Sequence, residues 1–261
     1  MTRRLGEALD VVRAVAWRTW RGTVRRPVLL AFSLGQPLIW MLFFGFLFQR
    51  YRVADLPAGF SYLDFLAPGV SAMTVLFGAS QVGIGWLRDL QTGFLPRLLA
   101  TPASPLAIFA GKLLADVTRL LLQAGVVLIL ALLLGARLRA TPGALALGGT
   151  CLLLFAAAFA ALSCAVALRA RVQEVMATYV HLVNMPLLLT STVFVPRREM
   201  PAWLAAVARC NPLTLAVDAW RGALLAAATP PLSSLLALAV LAAAAFLLAA
   251  AQLRSAAGRT S

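Results

Sequence analysis

The sequence predicts an all-α polytopic membrane protein with six transmembrane helices, an N-terminal interfacial helix and an outer re-entrant helical hairpin before the last span. Of the 261 residues, 62% are hydrophobic and only 12% are charged, whereas a soluble domain carries about 25% charged residues. The mean hydropathy is +0.89. The apolar residues also form runs long enough to cross a ~30 Å hydrocarbon core, which takes about 20 helical residues.

Residues 1–27 predict an amphipathic helix that lies on the cytoplasmic surface of the membrane. Apolar side chains recur there every three or four residues, and arginines fill much of the rest. Trp17 and Trp20 would sit at the level of the lipid headgroups. A disordered basic tail is the alternative.

Residues 28–261 form the predicted six-span transmembrane domain, whose apolar runs are residues 28–48, 65–87, 117–134, 145–168, 175–195 and 232–253. Each run lacks a charged residue near its middle. Lys and Arg are more frequent in the segments that face inward when the N-terminus is inside, so the positive-inside bias places both termini in the cytoplasm.

A short, partly charged segment interrupts this apolar pattern at residues 88–104. Gly93 is typical of a helix stop, and Pro96 of the first turn of a new short helix. Thr101-Pro102 would end that helix, because the residue before proline is pushed out of the helical region. Its apolar positions either contact a partner, lie on the membrane surface or pack under the chain's own helices; they are Phe94, Leu95, Leu98 and Leu99.

Residues 196–231, between the fifth and sixth runs, predict a hairpin of two short helices in the outer leaflet. Asn211 is a good N-cap for the second helix and Pro212 a good first residue. Asp218 and Arg221 are spaced to pair at i and i+3. Both helices are too short and too charged to cross a membrane.

The sequence contains no G-x-x-x-x-G-K-[ST] loop, because Gly111-Lys112 is followed by leucine and lacks the upstream glycine. With one histidine and no cluster of carboxylates, the chain is expected to be neither an enzyme nor a holder of metal or cofactor. Arginines that flank membrane segments explain the net charge of +14 better than nucleic acid does.

Three stretches together carry a resemblance to a known family: RDLQTGFLPRLLATPASPLAIFAGKLLAD (88–116), YLDFLAPGVSAM (62–73) and NPLTLAVDAWRGAL (211–224). They resemble type-2 ABC exporter permeases, in particular the daunorubicin-resistance and nodulation-factor export branch. Their order and spacing match that family, and the six-span layout covers nearly the whole chain. Pro96 departs from the family pattern, in which an acidic or polar residue is usual.

The resemblance implies a half-permease of the bacterial plasma (inner) membrane that forms a homodimer in the lipid bilayer. Two copies of a separate ABC ATPase subunit, which binds the ATP and Mg²⁺, would dock beneath it. The surface helix would also touch the ATPase. The coupling contacts would come from Arg88, Asp89, Phe94, Leu95, Arg97, Leu98 and Leu99.

Small and polar residues share one face of the second run and one face of the fifth. Such stripes usually mean close helix packing, and the alternative is that they line a transport path. In the resembling family these two spans border the central path. The candidate path residues are Gln36, Trp40, Thr74, Gln81, His181 and Asn184.

The predicted function is therefore that of the membrane subunit of an ATP-driven exporter, which moves an amphipathic drug-like compound, a lipid or a lipid-linked glycan outward. A secondary, ion-coupled multidrug transporter is the alternative, but its coupling would favour acidic groups deep in the bilayer. Asp64, Asp116 and Glu174 all lie near the ends of apolar runs. A non-transporting membrane assembly protein is the third candidate.

Overall fold

The structure, a computed structural model, describes residues 2–25, 27–51, 60–225 and 231–257. Within these ranges the chain forms ten α-helices, a 3₁₀ turn at Arg197–Glu199 and no strand. The helices are α1 (Thr2–Val24), α2 (Pro27–Leu47), α3 (Tyr62–Gln91), α4 (Phe94–Leu99), α5 (Pro105–Leu133), α6 (Pro142–Ala170), α7 (Gln173–Leu189), α8 (Ala202–Cys210), α9 (Pro212–Leu224) and α10 (Leu232–Ala257).

Four helices of the described ranges are long and apolar enough to cross a membrane, namely α3, α5, α6 and α10. The other two predicted spans correspond to α2, which has 21 residues, and α7, which has 17. The prediction of an all-α polytopic membrane protein is confirmed. The number of six spans stays a prediction.

The helix α7 ends at Leu189, six residues before the end of the predicted fifth run. Two side-chain hydroxyl groups form hydrogen bonds with carbonyl oxygens of its last turn. Thr190 Oγ1 donates to Pro186 O at 2.7 Å, and Ser191 Oγ donates to Leu188 O at 2.6 Å. Such local bonds compete with helix continuation. The apolar residues that follow pack as a loop, in which the Phe194 ring lies 5.4 Å from that of Trp40.

The central helix is α3, which contacts α2, α4, α5, α6, α7 and α9. It begins with a capping box, in which Asp64 N donates to Ser61 Oγ at 3.4 Å and Ser61 N donates to Asp64 Oδ2 at 2.5 Å. The backbone N–H of Arg137, in the loop before α6, donates to the same carboxylate. Asp64 therefore has a structural role.

The bundle has two ends, which we call the α4 end and the α9 end. The helix α3 connects them: with 30 residues it is about 45 Å long at 1.5 Å per residue. The α4 end is where α4 follows the C-terminus of α3. The α9 end is where α9 packs on α3 and α6. A Cβ atom at Gly148 would lie 2.5 Å from Ala223 Cβ, so α6 and α9 approach closely there.

The N-terminal helix α1 forms over 23 residues, as the apolar spacing predicts, and packs along α5. Its contact depends on Gly111, where a Cβ atom would lie 2.6 Å from the carbonyl oxygen of Val12. Whether α1 rests on the membrane surface stays a prediction. Met1 and Arg26 of this predicted segment, and residues 226–230 of the predicted hairpin, lie outside the described residues.

Candidate functional site

The last turn of α3 and the first turns of α5 are joined at the α4 end by Lys112. Its ammonium group forms an ion pair with Asp89 and donates to the carbonyl oxygen of Gly85 at 3.4 Å. The same group lies 4.3 Å from the centroid of the Trp86 ring. Because Lys112 is buried, this contact holds two predicted spans in a fixed arrangement beside α4.

The short helix α4 begins after Gly93, whose φ of 72° lies in the left-handed region that glycine adopts without strain. The predicted stop is therefore found at this residue, and Pro96 lies in the first turn of α4. The guanidinium carbon of Arg18 is 3.4 Å from the centroid of the Phe94 ring. α1 and α4 are thus in direct contact.

The apolar residues of α4 differ in their exposure. Leu95 is only 2% exposed and belongs to the chain's own core, and Leu99 packs against that core while remaining half-buried. Phe94 and Leu98 are half-buried, and Arg97 and Arg88 are exposed. The sequence left three alternatives for these apolar residues: contact with a partner, the membrane surface, or packing under the chain's own helices. Leu95 follows the third, because it is buried within the chain.

A cavity of about 900 Å³ lies beside α4, between α1, α3, α5 and α7. Three of the six candidate path residues line it: Gln36 from α2, Gln81 from α3 and His181 from α7. All three residues are exposed rather than buried in the core. The structure therefore brings half of the predicted set together.

The other three candidate path residues do not line this cavity. Trp40 stacks on Phe44 with ring centroids 5.4 Å apart and planes 7° apart. Thr74 is 1% exposed and donates to the carbonyl oxygen of Val70 at 2.9 Å. Asn184 is fully buried. Of the two polar stripes, the positions of Thr74 and Asn184 are buried among the chain's own helices.

Asn184 belongs to a polar contact between α3, α6 and α7. Ser80 Oγ donates to Asn184 Oδ1 at 3.0 Å, and Ser163 Oγ donates to the carbonyl oxygen of Ser80 at 2.7 Å. At Gly83, a Cβ atom would lie 2.4 Å from the Met176 methyl group. Small residues thus allow close packing of these helices, and sequence spacing alone could not separate this face from a path.

At the α9 end, Arg221 is buried and holds three segments together. Its Nε donates to Phe65 O at 3.0 Å, its Nη2 donates to Thr192 O at 2.8 Å, and its Nη1 lies 3.4 Å from Asp218 Oδ1. Burial lowers the pKa of Arg221 to about 10, and the Asp218 carboxylate opposes that shift.

The predicted pairing of Asp218 with Arg221 is present. Asn211 caps α9 as predicted, since its Oδ1 accepts from Leu213 N at 2.8 Å. The sequence did not indicate that Arg221 is buried against α3. The stretches 62–73 and 211–224 therefore meet at one end of the bundle, while 88–116 forms the other.

Comparison with known proteins supports a transport function. The family described as ABC-2 type transporter matches residues 10–225. A putative transport permease ycf38 of Cyanophora paradoxa is 29% identical over 198 residues, which cover 74% of this chain and 67% of that protein. The ycf38 protein of Porphyra purpurea, also a putative transport permease, is 29% identical over 216 residues, covering 82% and 74%.

A daunorubicin resistance ABC transporter permease protein, DrrB1 of Streptomyces coeruleorubidus, is 32% identical over 207 residues, which cover 78% of this chain and 71% of that protein. The matched residues 10–225 run from α1 to the end of α9 and include all three stretches that resemble exporter permeases. The chain belongs to the ABC-2 type transporter family and is a transport permease subunit of an ABC exporter.

Proposed function

We propose that this permease works as one half of a homodimer, with two copies of a separate ABC ATPase at its α4 end, and moves an amphipathic compound outward. The observation that carries this proposal is the surface of α4. Arg97 and Leu98 remain accessible there, while Leu95 anchors the same short helix in the core. A docked protein can therefore move α4 only together with the bundle.

The contacts around α4 suit the transmission of force. The Lys112–Asp89 pair connects the two spans that flank α4, and Arg18 connects α4 to α1. Motion imposed on α4 would reach α1, α3 and α5 without a flexible linker. We assign the coupling role to this arrangement as a whole.

The energy for transport comes from the ATP-binding subunit with which permeases of this family work. The absence of a phosphate-binding loop from this sequence supports that division of labour. The α4 end would face the cytoplasm of a bacterial cell, with both termini on that side, as the distribution of Lys and Arg favours.

The cavity lined by Gln36, Gln81 and His181 is the candidate entry to the transport path. Its wall combines polar side chains with apolar ones, among them Phe77 and Val82, which suits an amphipathic molecule. Drug-like compounds, lipids and lipid-linked glycans fit this description. Daunorubicin is a sensible first probe because a relative's name links that protein to daunorubicin resistance.

The decisive experiment reconstitutes the permease with its ATPase in vesicles and measures ATP-dependent uptake across a panel of amphipathic compounds. We expect uptake only with ATP and both subunits, and two permease chains per pair of ATPase chains by native mass spectrometry. Uptake driven by an ion gradient without the ATPase would favour the secondary-transporter alternative. One permease chain per ATPase pair would contradict the homodimer.

A further inference from the structure

The cavity at the α4 end carries a strong positive charge. Six of its lining side chains are Lys or Arg and only two are Asp. Arg18 and Arg21 come from α1, and Arg25 directly follows that helix. Arg88 comes from the end of α3, and Lys112 and Arg119 come from α5. Charges from three separate helices thus converge on one space, and guanidinium groups bind phosphate with two parallel hydrogen bonds.

One oxygen atom of these two carboxylates has no hydrogen-bond donor within the part of the chain that the structure describes. Asp116 is only 7% exposed and lines the cavity, and among the described residues no group donates a hydrogen bond to its buried Oδ2 atom. Its Oδ1 lies 3.9 Å from Arg119 Nη2. A buried polar atom without a hydrogen bond is costly, so a ligand with a donor at this position would be favoured.

The remaining wall of the cavity is partly apolar. Phe77, Val82, Ile84 and Val180 contribute to it, and the exposed ring of Trp17 lies at its edge on α1. Tryptophan is enriched at the level of lipid headgroups. The cavity therefore combines basic groups, one hydrogen-bond acceptor without a donor (Asp116 Oδ2) and apolar side chains. This combination matches a charged headgroup that is attached to hydrocarbon.

We propose that this cavity binds the headgroup of a phosphate-bearing lipid. The phosphate lies among the arginines, and an ammonium or hydroxyl group of the same headgroup donates to Asp116 Oδ2. The inference rests on the proposed function in placing the cavity at the cytoplasmic entry of the path. It adds a chemical class of ligand to that entry.

The test uses the full-length permease alone in detergent, so that its outcome does not depend on the ATPase. Binding is measured with fluorescent phosphatidylethanolamine and, as a phosphate-free control, with diacylglycerol of the same chains. We expect phosphatidylethanolamine to bind clearly more tightly. Arg88→Gln and Arg21→Gln should each weaken its binding about tenfold, the effect expected for a charge-assisted hydrogen bond, while Arg254→Gln on α10 should leave it unchanged.

Asp116 is tested by comparing two headgroups. Phosphatidylcholine carries the same phosphate as phosphatidylethanolamine but has no N–H donor. The wild-type chain should prefer the ethanolamine lipid, and Asp116→Asn should abolish that preference while phosphatidylcholine still binds. If the wild-type chain binds all three lipids equally, or if Arg88→Gln, Arg21→Gln and Arg254→Gln behave alike, the proposal is wrong.

The bound lipid is either a resident of the bilayer or the transported molecule. Reconstitution with the ATPase distinguishes these sources. A cargo lipid would move to the outer leaflet when ATP is added, and a resident lipid would stay bound through turnover. If lipid binds to the isolated permease but the complex transports nothing, the proposed function fails while the headgroup site stands.

Discussion

The guanidinium group of Arg18 lies over the ring of Phe94, with 3.4 Å between the guanidinium carbon and the ring centroid. This contact joins the N-terminal helix to the short helix that we propose as the docking element. It depends on α1 being held against α5, and that packing depends in turn on Gly111. The two helices at the α4 end are therefore expected to respond together to substitutions in either.

Leu98→Asp should weaken docking of the ATPase by more than tenfold, because a carboxylate buried in an apolar contact costs at least about 2 kcal/mol and ~1.4 kcal/mol is tenfold in affinity. Co-purification of the ATPase measures the effect. The matched control is Leu145→Asp, at an exposed leucine near the start of α6, which should dock normally. A Leu98→Asp permease that retains its ATPase and full transport would exclude α4 as the docking element.

Gly111→Ala should displace α1, because the added Cβ atom would lie 2.6 Å from Val12 O and 3.0 Å from its Cα atom. We expect a loss of about 1–3 kcal/mol in the free energy of unfolding, as for other overpacked sites. Gly125→Ala on the same helix is the control, since no atom lies within 4 Å of its Cβ position. Equal thermal stability of the two variants, with α1 equally protected from protease, would mean that α1 does not need this close approach.

Arg221→Met should destabilise the α9 end strongly, because Phe65 O and Thr192 O lose their donor and Asp218 loses a partner. Leaving a buried carbonyl oxygen without its donor costs about 1–3 kcal/mol, and two such oxygens are affected; Asp218 keeps its contact with Arg197. Arg221→Lys should recover only part of the loss, since an ammonium group cannot reproduce the planar fork. Thermal unfolding in detergent measures both, with the exposed Arg209→Met as control; equal midpoints for Arg209→Met and Arg221→Met would show that the network adds no stability.

His181 and Asn184 should respond differently to leucine, although both lie on the stripe of α7. His181 lines the cavity, so His181→Leu should reduce or redirect transport while expression stays normal. Asn184 is fully buried and accepts from Ser80, so Asn184→Leu should lower stability by about 1–3 kcal/mol. Transport assays and thermal unfolding separate the two effects. If Asn184→Leu is as stable as wild type and His181→Leu transports normally, the assignment of Asn184 to helix packing and of His181 to the transport path is incorrect.

Features that depend on neighbouring residues in the chain could be predicted from the sequence. Gly93 and Asn211 both lie at helix ends as predicted, because capping is decided within a few residues. The long apolar runs likewise give the principal membrane helices. α7 was predicted too long because the apolar residues after Leu189 continue the pattern while Ser191 and Thr190 end the helix.

Features that depend on distant contacts could not be predicted. A buried arginine and an exposed one look alike in a sequence, so nothing indicated that Arg221 reaches Phe65 across 156 residues. The stripe on α3 was ambiguous for the same reason. The part nearer the α9 end, including Thr74, is buried against neighbouring residues, and only Gln81 and the residues near it reach the cavity.

The close approach of Gly111 to Val12 also has a consequence for biosynthesis. Val12 leaves the ribosome well before Gly111, and at roughly 5–20 residues per second the intervening chain takes on the order of 5–20 s to be made. Throughout that interval the amphipathic α1 lacks α5, the helix along which it packs. The nascent chain therefore needs the lipid interface, or a chaperone with an equivalent apolar surface, to hold α1 until α5 has been synthesised.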